Sequence, residues 1–225
     1  MQPSERAPLG ILGGTFDPIH NGHLRLAEEA VTQLGLGRIR LIPAGRPAHR
    51  GAPGASAAQR LDMVQLAAAE NPRLEVDAAE VLSEAPSYTV PTLERLRAEL
   101  GDARQLVLLL GADAFAGLPS WHRWTTLFEL AHIAVATRPG HTLELAALSP
   151  ALAEQCRQRE SAADALQARP HGCIVRFPIT ALDISATAIR TLCARRESPR
   201  YLLPEGVVDY IAQHGLYLEP EENAF

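Results

Sequence analysis

Short apolar runs alternate along the chain with longer segments in which apolar residues recur every three or four positions. The short runs predict β-strands, and the longer segments predict helices that pack one face against a sheet. The run 105–110 is apolar at nearly every position, which is typical of a central parallel strand covered on both faces. The pattern predicts an α/β fold, a Rossmann-like doubly wound parallel sheet with C-terminal helices. The predicted strands cover 9–12, 38–43, 74–77, 105–110, 132–137 and 173–177, and the predicted helices cover 22–34, 57–70, 90–100, 145–168, 185–196 and 207–214.

Two segments depart from this alternation. Residues 43–56 contain three glycines and three prolines and predict a mobile loop, long enough to act as a lid. Residues 145–168 are rich in Ala, Glu, Gln and Arg with sparse Leu, and predict a helical insertion that faces solvent or a partner chain. Because no internal repeat divides the sequence, we interpret 1–225 as a single domain.

The composition limits the chemistry available to the chain. The 225 residues are 47% hydrophobic, and 26 acidic against 21 basic residues give a net charge of −5. This balance disfavours a general surface for nucleic acid or for anionic membranes. The chain contains no lysine, which excludes both a P-loop lysine and a Schiff-base lysine. Any anion must therefore be held by arginine, histidine, backbone N–H groups or a metal.

The cysteine pattern and the lengths of the apolar runs indicate a compartment. Three cysteines leave an odd count, and none belongs to a Cys-x-x-Cys pair, which suits a reducing environment. Residues 1–9 contain no apolar core segment, so no signal peptide is predicted, and no apolar run is long enough to span a membrane. We expect a cytoplasmic protein.

The most informative stretch is Gly-Gly-Thr-Phe-Asp-Pro-Ile-His-Asn-Gly-His at 13–23. A predicted strand ends in Gly13 and Gly14, and a predicted helix starts a few residues later. Glycines let backbone N–H groups approach a ligand closely, and a helix N-terminus carries positive potential. His20 and His23 would lie on one side of the first helical turn. In an open α/β sheet, this position is the crevice where ligands bind, so the stretch predicts a phosphate site.

Three other interpretations of the same stretch are weaker. The dinucleotide fingerprint Gly-x-Gly-x-x-Gly is absent. Asp17, His20 and His23 have the residue types of a two-histidine, one-carboxylate metal site, but Pro18 stiffens their spacing and no other metal ligands cluster nearby in the sequence. A tight turn with capping histidines would not need the glycine pair.

The stretch resembles the signature of the nucleotidyltransferase superfamily with the His-x-Gly-His motif. In its longer form it is similar to the bacterial nicotinate-nucleotide adenylyltransferases. The resemblance implies that 1–225 is a nucleotidyltransferase domain. It also implies adenylyl transfer from ATP to nicotinate mononucleotide, giving deamido-NAD and pyrophosphate in NAD biosynthesis. Mg²⁺ would be bound through the ATP phosphates, with no protein metal ligand.

Later motifs resemble the same family in the same order. They are Pro47-Ala48-His49-Arg50, Pro86-Ser87-Tyr88-Thr89, Gly111-Ala112-Asp113 followed by Trp121, and Ile184-Ser185-Ala186-Thr187-Ala188-Ile189-Arg190. Two of these residues also have plain structural interpretations, since Trp121 suits a core position and Ser185 suits a helix N-cap. His122 stands where several relatives carry tyrosine.

The resemblance assigns these residues to three groups. The catalytic group is His20, His23 and Arg190. The ATP- and phosphate-binding group is Gly13, Gly14, Thr15, Gly22, Gly111, Asp113, Ile184, Ser185 and Thr187. The acceptor-binding group is His49, Arg50, Thr89, Trp121 and His122.

Two alternative functions stay open from the sequence. One is another adenylyltransferase of the superfamily, with phosphopantetheine or nicotinamide mononucleotide as acceptor. The other is a nucleotide sensor without turnover. The expected partners are ATP and nicotinate mononucleotide, with no nucleic acid and no membrane, and the formation of a homo-oligomer is left open.

Overall fold

A computed structural model describes residues 7–47, 51–137 and 144–219. Within these residues, six strands form one sheet in the order β3-β2-β1-β4-β5-β6, and every neighbouring pair is parallel. The strands are β1 (Leu9–Gly14), β2 (Arg38–Pro43), β3 (Leu74–Val76), β4 (Leu106–Gly111), β5 (His132–Thr137) and β6 (Ile174–Pro178).

Helices connect the strands and follow the last one. The same described residues contain ten α-helices and three short 3₁₀ turns. The 3₁₀ turns cover Leu118–Ser120, Trp124–Thr126 and Leu145–Ala147. The helices are α1 (Asn21–Leu34), α2 (Ala57–Ala68), α3 (Ala79–Leu82), α4 (Thr89–Leu100), α5 (Ala112–Ala116), α6 (Leu127–Leu130), α7 (Pro150–Arg159), α8 (Ala165–Ala168), α9 (Ala186–Ala194) and α10 (Glu205–Gln213).

The sheet is covered by packed side chains on both faces, as the sequence predicts. In β4, Val107 and Leu109 belong to one buried cluster, whereas Leu106, Leu108 and Leu110 belong to another. Successive side chains of a strand point to opposite faces, so the two clusters lie on the two faces of the sheet. The first cluster includes residues of α1, α2, α9 and α10, and the second includes residues of α4, α5, α6 and α7. The predicted Rossmann-like, doubly wound fold is confirmed.

The strand order places a crevice between β1 and β4. β1 pairs with β2 along its whole length, up to Gly14 opposite Pro43. Its pairing with β4 covers only residues 9–11 opposite residues 106–108. The carboxyl ends of these neighbours are therefore not paired with each other, at the point where the strand order reverses. Open α/β sheets bind their ligands at this point.

The prediction of one helix over 145–168 is wrong. The segment is divided into a 3₁₀ turn, α7 and α8, and Glu160 between the two helices forms an isolated bridge with Ile174 of β6. Leu152, Cys156 and Leu166 are fully buried against this chain's own core, while the polar residues between them lie mostly outside. The segment therefore covers the sheet rather than projecting from it.

Within the described residues, no helix is long and apolar enough to cross a membrane.

Candidate active site

The loop between β1 and α1 has a conformation set by one aromatic ring. Phe16 has a positive φ of 49°, is buried, and packs edge-on against His23 with 5.0 Å between ring centroids. A Cβ on Gly14 would lie 3.0 Å from the Phe16 ring, which is shorter than an ordinary van der Waals contact. The glycine at position 14 therefore allows the loop to pack against the Phe16 ring, which in turn contacts His23.

The two histidines form a stacked pair at the start of α1. His20 is the N-cap and His23 lies in the first turn, with 3.7 Å between their ring centroids. The backbone N–H of His20 donates to Nδ1 of His23 at 3.2 Å. Since Nδ1 of His23 accepts a hydrogen bond, a neutral His23 carries its proton on Nε2 and can donate it to a ligand.

Gly22 allows another close approach. A Cβ at this position would lie 3.0 Å from Nδ1 of His20 and 3.8 Å from the carbonyl oxygen of Ile184. The helix start bearing the histidines thus lies against the segment that leads into α9. Two motifs separated by some 160 positions in the sequence meet at this point.

Burial makes His20 a neutral side chain near pH 7. His20 is 7% exposed, and within the described part of the chain its Nδ1 is buried without a hydrogen-bond partner. Desolvation is the main cause that lowers the pKa of His20 from 6.5 to about 4, only partly opposed by a backbone hydrogen bond. A phosphate oxygen would be a suitable partner for this nitrogen when it carries the ring proton.

The lowered pKa of His20 gives a testable dependence of stability on pH. The unfolded chain binds a proton near pH 6.5 and the folded chain only near pH 4, so this stabilisation is complete above pH 6.5 and is lost as the pH falls toward 4. Between pH 7 and pH 5 the contribution falls by about 2 kcal/mol. Burial lowers the pKa of His132 to about 4 as well, so urea unfolding of the wild type should show a loss to which both histidines contribute. The loss for His20→Asn should be smaller than the wild-type loss by about the His20 contribution. The same substitution at the exposed His122 is the control, and equal losses in wild type and His20→Asn would contradict the assignment.

The start of α9 adds hydroxyl and guanidinium groups. Ser185 is the N-cap, and its Oγ accepts from the N–H of Ala188 at 3.1 Å. Arg190, with its side chain one third exposed, donates through Nη1 to the carbonyl oxygen of Asp17 at 2.7 Å and through Nη2 to Oγ1 of Thr187 at 3.2 Å. The bond to Asp17 fixes Arg190 beside the loop that carries the histidines.

The remaining predicted nucleotide residues lie at the same edge of the sheet. Gly13 and Thr15 lie on either side of the last β1 residue, and Gly111 ends β4 and caps α5. Asp113 is exposed in the first turn of α5. These residues therefore flank the crevice between β1 and β4.

The predicted acceptor residues form a second group around α4. Thr89 is the first residue of α4, and the ring of its neighbour Tyr88 lies 4.8 Å from the ring of the exposed His122. Trp121 is partly buried against the second core cluster, so its core interpretation holds in part. His49 and Arg50 lie outside the described residues.

Ser87 belongs to the motif Pro86-Ser87-Tyr88-Thr89, but the sequence assigns it no role. Oγ of Ser87 accepts from the N–H groups of Gly45 at 3.0 Å and Arg46 at 3.2 Å, and the Ser87 N–H donates to the Arg46 carbonyl. The start of the 43–56 segment is thereby attached to the segment that precedes α4. The predicted mobility of 43–56 stays a prediction, but both of its described ends are hydrogen-bonded.

Three further residues near the site were not predicted as part of it: Asp17, Arg60 and Tyr217. Asp17 is 6% exposed, and its carboxylate accepts hydrogen bonds from residues 54, 55 and 217. Arg60 is 1% exposed and donates to the carbonyl oxygens of residues 15, 45 and 55. The sequence signal for Asp17 was its place inside the motif, whereas nothing local marks Arg60 or Tyr217.

Comparisons with known proteins found similar sequences and a similar fold. A model of the cytidylyltransferase-like family matches residues 11–192. A Dechloromonas aromatica protein named probable nicotinate-nucleotide adenylyltransferase is 58% identical over 211 residues, covering 93% of this chain and 97% of that protein. An Acidithiobacillus ferrooxidans protein of the same name is 47% identical, covering 98% of this chain and 100% of its own.

A solved structure is similar in fold at low identity. Plasmodium falciparum nicotinic acid mononucleotide adenylyltransferase, complexed with NaAD, superimposes with a TM-score of 0.70 at 16% identity. The match covers 94% of this chain and 97% of that one. At this identity the likeness supports the fold alone.

Proposed function

The chain belongs to the cytidylyltransferase-like family and, within it, to the nicotinate-nucleotide adenylyltransferases, and we propose that the crevice between β1 and β4 is where it joins ATP to nicotinate mononucleotide. The observation that carries this assignment is the contact between two separated motifs. The His20–His23 pair and Arg190 are brought to one place by the Gly22–Ile184 approach and by the Arg190–Asp17 hydrogen bond.

The reaction is an in-line displacement at the α-phosphorus of ATP. A phosphate oxygen of the mononucleotide forms a bond to that phosphorus, and the bond to the bridging oxygen toward the β-phosphorus breaks. The products are deamido-NAD and pyrophosphate. Because the attacking phosphate is already anionic near pH 7, no side chain has to remove a proton. The protein has to align two anions and to stabilise the charge on the leaving group.

The side chains of the crevice suit that requirement in a chain without lysine. We propose that Nε2–H of His23 and a ring N–H of His20 donate to phosphate oxygens. Arg190 supplies a planar pair of donors for the β- or γ-phosphate. Further donors are proposed from the glycine-rich end of β1, the start of α1 and the start of α9, at Gly13, Gly14, Thr15, Gly22, Ile184, Ser185 and Thr187. Gly111 at the end of β4 and Asp113 in α5 are proposed to border the nucleotide.

The metal proposed for this site is Mg²⁺ held through the phosphates. Among the described residues, no three of His, Cys, Asp and Glu lie together as a metal-binding group, and the Asp17 carboxylate faces N–H and O–H donors. These residues fit a Mg²⁺ ion that keeps most of its water and coordinates phosphate oxygens rather than side chains. When bound, the ion would neutralise charge on the phosphates.

The acceptor is proposed to bind at the start of α4. The first N–H groups of a helix have no intrahelical partner and favour an anion. Thr89 adds a hydroxyl group. The rings of Trp121 and of His122, which contacts Tyr88, are proposed to pack against the pyridine ring. His49 and Arg50 are proposed to contact the acceptor phosphate. A pyridine carboxylate gains charge-assisted hydrogen bonds here that the neutral amide of the nicotinamide compound cannot match.

Pyrophosphate release with ATP and three acceptors tests this function. We expect rapid release with nicotinate mononucleotide, a kcat/KM lower by about tenfold or more with nicotinamide mononucleotide, and none with phosphopantetheine. Thr89→Val, which removes one hydroxyl group, should raise KM for nicotinate mononucleotide while KM for ATP stays unchanged.

Two other outcomes of the pyrophosphate-release assay would contradict parts of this proposal. Equal kcat/KM for the two pyridine mononucleotides would refute selectivity for the acid. ATP binding without pyrophosphate release for any acceptor would support the sensor alternative and contradict the proposed function.

A further inference from the structure

Asp17 connects four parts of the chain through one buried carboxylate. Its Oδ2 accepts from the N–H of Gly54 at 2.8 Å and lies 3.7 Å from Nη1 of Arg190. Its Oδ1 accepts from the N–H of Ala55 at 3.0 Å and from the phenol of Tyr217 at 2.9 Å. The backbone oxygen of Asp17 accepts the shortest bond of Arg190. One residue of the β1–α1 loop therefore holds the end of the 43–56 segment, α9 and the segment after α10.

Arg60 is a buried positive charge that contacts the same loops as the Asp17 carboxylate. Its guanidinium donates to the carbonyl oxygens of Thr15 at 2.6 Å, Gly45 at 3.1 Å and Ala55 at 3.3 Å. Burial lowers the pKa of Arg60, and the negative charge of Asp17 partly offsets that cost. Arg60 thus attaches the β1–α1 loop to both described ends of the 43–56 segment, and neither Arg60 nor Asp17 is proposed to touch substrate.

The groups around Asp17 require a carboxylate rather than any polar side chain. Every group that faces its two oxygens is a donor, and two of these donors are backbone N–H groups that cannot turn. An asparagine would direct its NH₂ at the N–H of either Gly54 or Ala55, which leaves donors facing each other. Burial of unsatisfied donors is costly. The donor set also accounts for Asp17 without a metal ion.

We propose that Asp17 is a positioning residue, whose carboxylate and carbonyl oxygens hold the Arg190 guanidinium in its phosphate-binding orientation before the nucleotide arrives. This role rests on the proposed place of Arg190 at the ATP phosphates. Pre-set side chains bind more tightly because less motion is lost on binding. Loss of the carboxylate should therefore weaken binding of ATP through Arg190 and not independently of it.

A double-mutant cycle on ATP binding tests this coupling. Dissociation constants for ATP with Mg²⁺ are measured by calorimetry for wild type, Asp17→Asn, Arg190→Ala and the double variant. We expect Asp17→Asn to weaken binding about tenfold when Arg190 is present and less than about twofold when it is absent, as for residues that act through a shared contact. Equal factors in both backgrounds, or no effect of Asp17→Asn, would overturn the proposal.

Asp77→Asn is a matched control for lost stability. The Asp77 carboxylate is nearly as buried, and it also accepts from a backbone N–H, that of Ala79 at 2.9 Å, and from an arginine, Arg95. Asp77→Asn should lower the melting temperature without changing the dissociation constant of ATP. If it weakens ATP binding as strongly as Asp17→Asn does, the effect is one of general stability and the proposal fails.

Tyr217→Phe keeps the test decisive if Asp17→Asn does not fold. This variant removes one donor from Oδ1 and leaves the charge in place, so it should weaken ATP binding by about two- to fivefold with Arg190 present and not in Arg190→Ala. The same factor in both backgrounds would overturn the proposal. Because ATP binding is measured without acceptor, a chain that binds ATP but releases no pyrophosphate contradicts the proposed function and leaves this test valid.

Discussion

Replacement of His23 by alanine is expected to lower kcat by about 10²–10³-fold, the usual cost of one lost donor to a transition state. Nδ1 of His23 accepts from the backbone N–H of His20, so a neutral His23 would donate to the phosphate oxygens through Nε2–H. Charge on these oxygens grows as the pyrophosphate leaves, so the effect should fall mainly on kcat rather than on KM for ATP. Steady-state pyrophosphate release at pH 7 measures both constants.

The His23→Ala variant should fold, because alanine is a good helix former in the first turn of α1. His214→Ala is the control, since His214 is exposed, stacks on Tyr210 and lies at the end of α10. It should leave kcat unchanged. Wild-type turnover by a folded His23→Ala protein would remove His23 from the catalytic group.

Replacement of Arg190 by alanine is expected to lower kcat by a similar factor, about 10²–10³-fold, and to raise KM for ATP as well. Among the described residues, the Arg190 guanidinium is the one strong cation proposed to bind the phosphate tail, and it is expected to bind the tail both before and during transfer. Arg190→Lys keeps the charge but loses the planar pair of donors, so it should recover only part of the activity. Initial rates at varied ATP concentration separate the two constants.

Arg195→Ala provides the matched control for Arg190→Ala. Arg195 is exposed at the far end of the same helix, α9. Its loss should change neither constant. If Arg190→Ala were as active as Arg195→Ala, the second motif would have no part in phosphate binding.

The strands and the first motif could be predicted because their signals are local. The predicted strand 132–137 has the bounds of β5, and the predicted helix 22–34 differs from α1 by one residue. In both cases the alternation or the periodicity of a few neighbouring side chains determines the element. The glycines and histidines of residues 13–23 also give a local signal, and the phosphate site that their spacing indicates stays a prediction.

The single helix predicted over 145–168 is wrong, although the sequence does contain the signal for the start of α7. Ser149 followed by Pro150 is a common start for a helix, and α7 begins there. The end of α7 could not be predicted, because Glu160 forms an isolated bridge with Ile174 and no local sequence pattern indicates this bridge. Helices such as α3 and α6 are only one turn long and are too short to show a period.

The residues that organise the site could not be predicted because their partners are distant in sequence. Asp17 and Tyr217 are 200 positions apart, and Asp17 and Arg190 are 173 apart. A buried aspartate in a conspicuous motif suggests a metal ligand until the donors around it are known. Arg60 would be taken for a helix surface residue, yet it is buried and donates to carbonyl oxygens of two loops.

The central claim is that two separated segments, one with His20 and His23 and one with Arg190, together bind the triphosphate of ATP. The most direct measurement is a crystal structure with a non-hydrolysable ATP analogue. We expect phosphate oxygens at hydrogen-bond distance, about 2.7–3.2 Å, from both histidine rings and from the Arg190 guanidinium. A triphosphate bound elsewhere, with these three side chains directed away from it, would show that the proposed site is wrong.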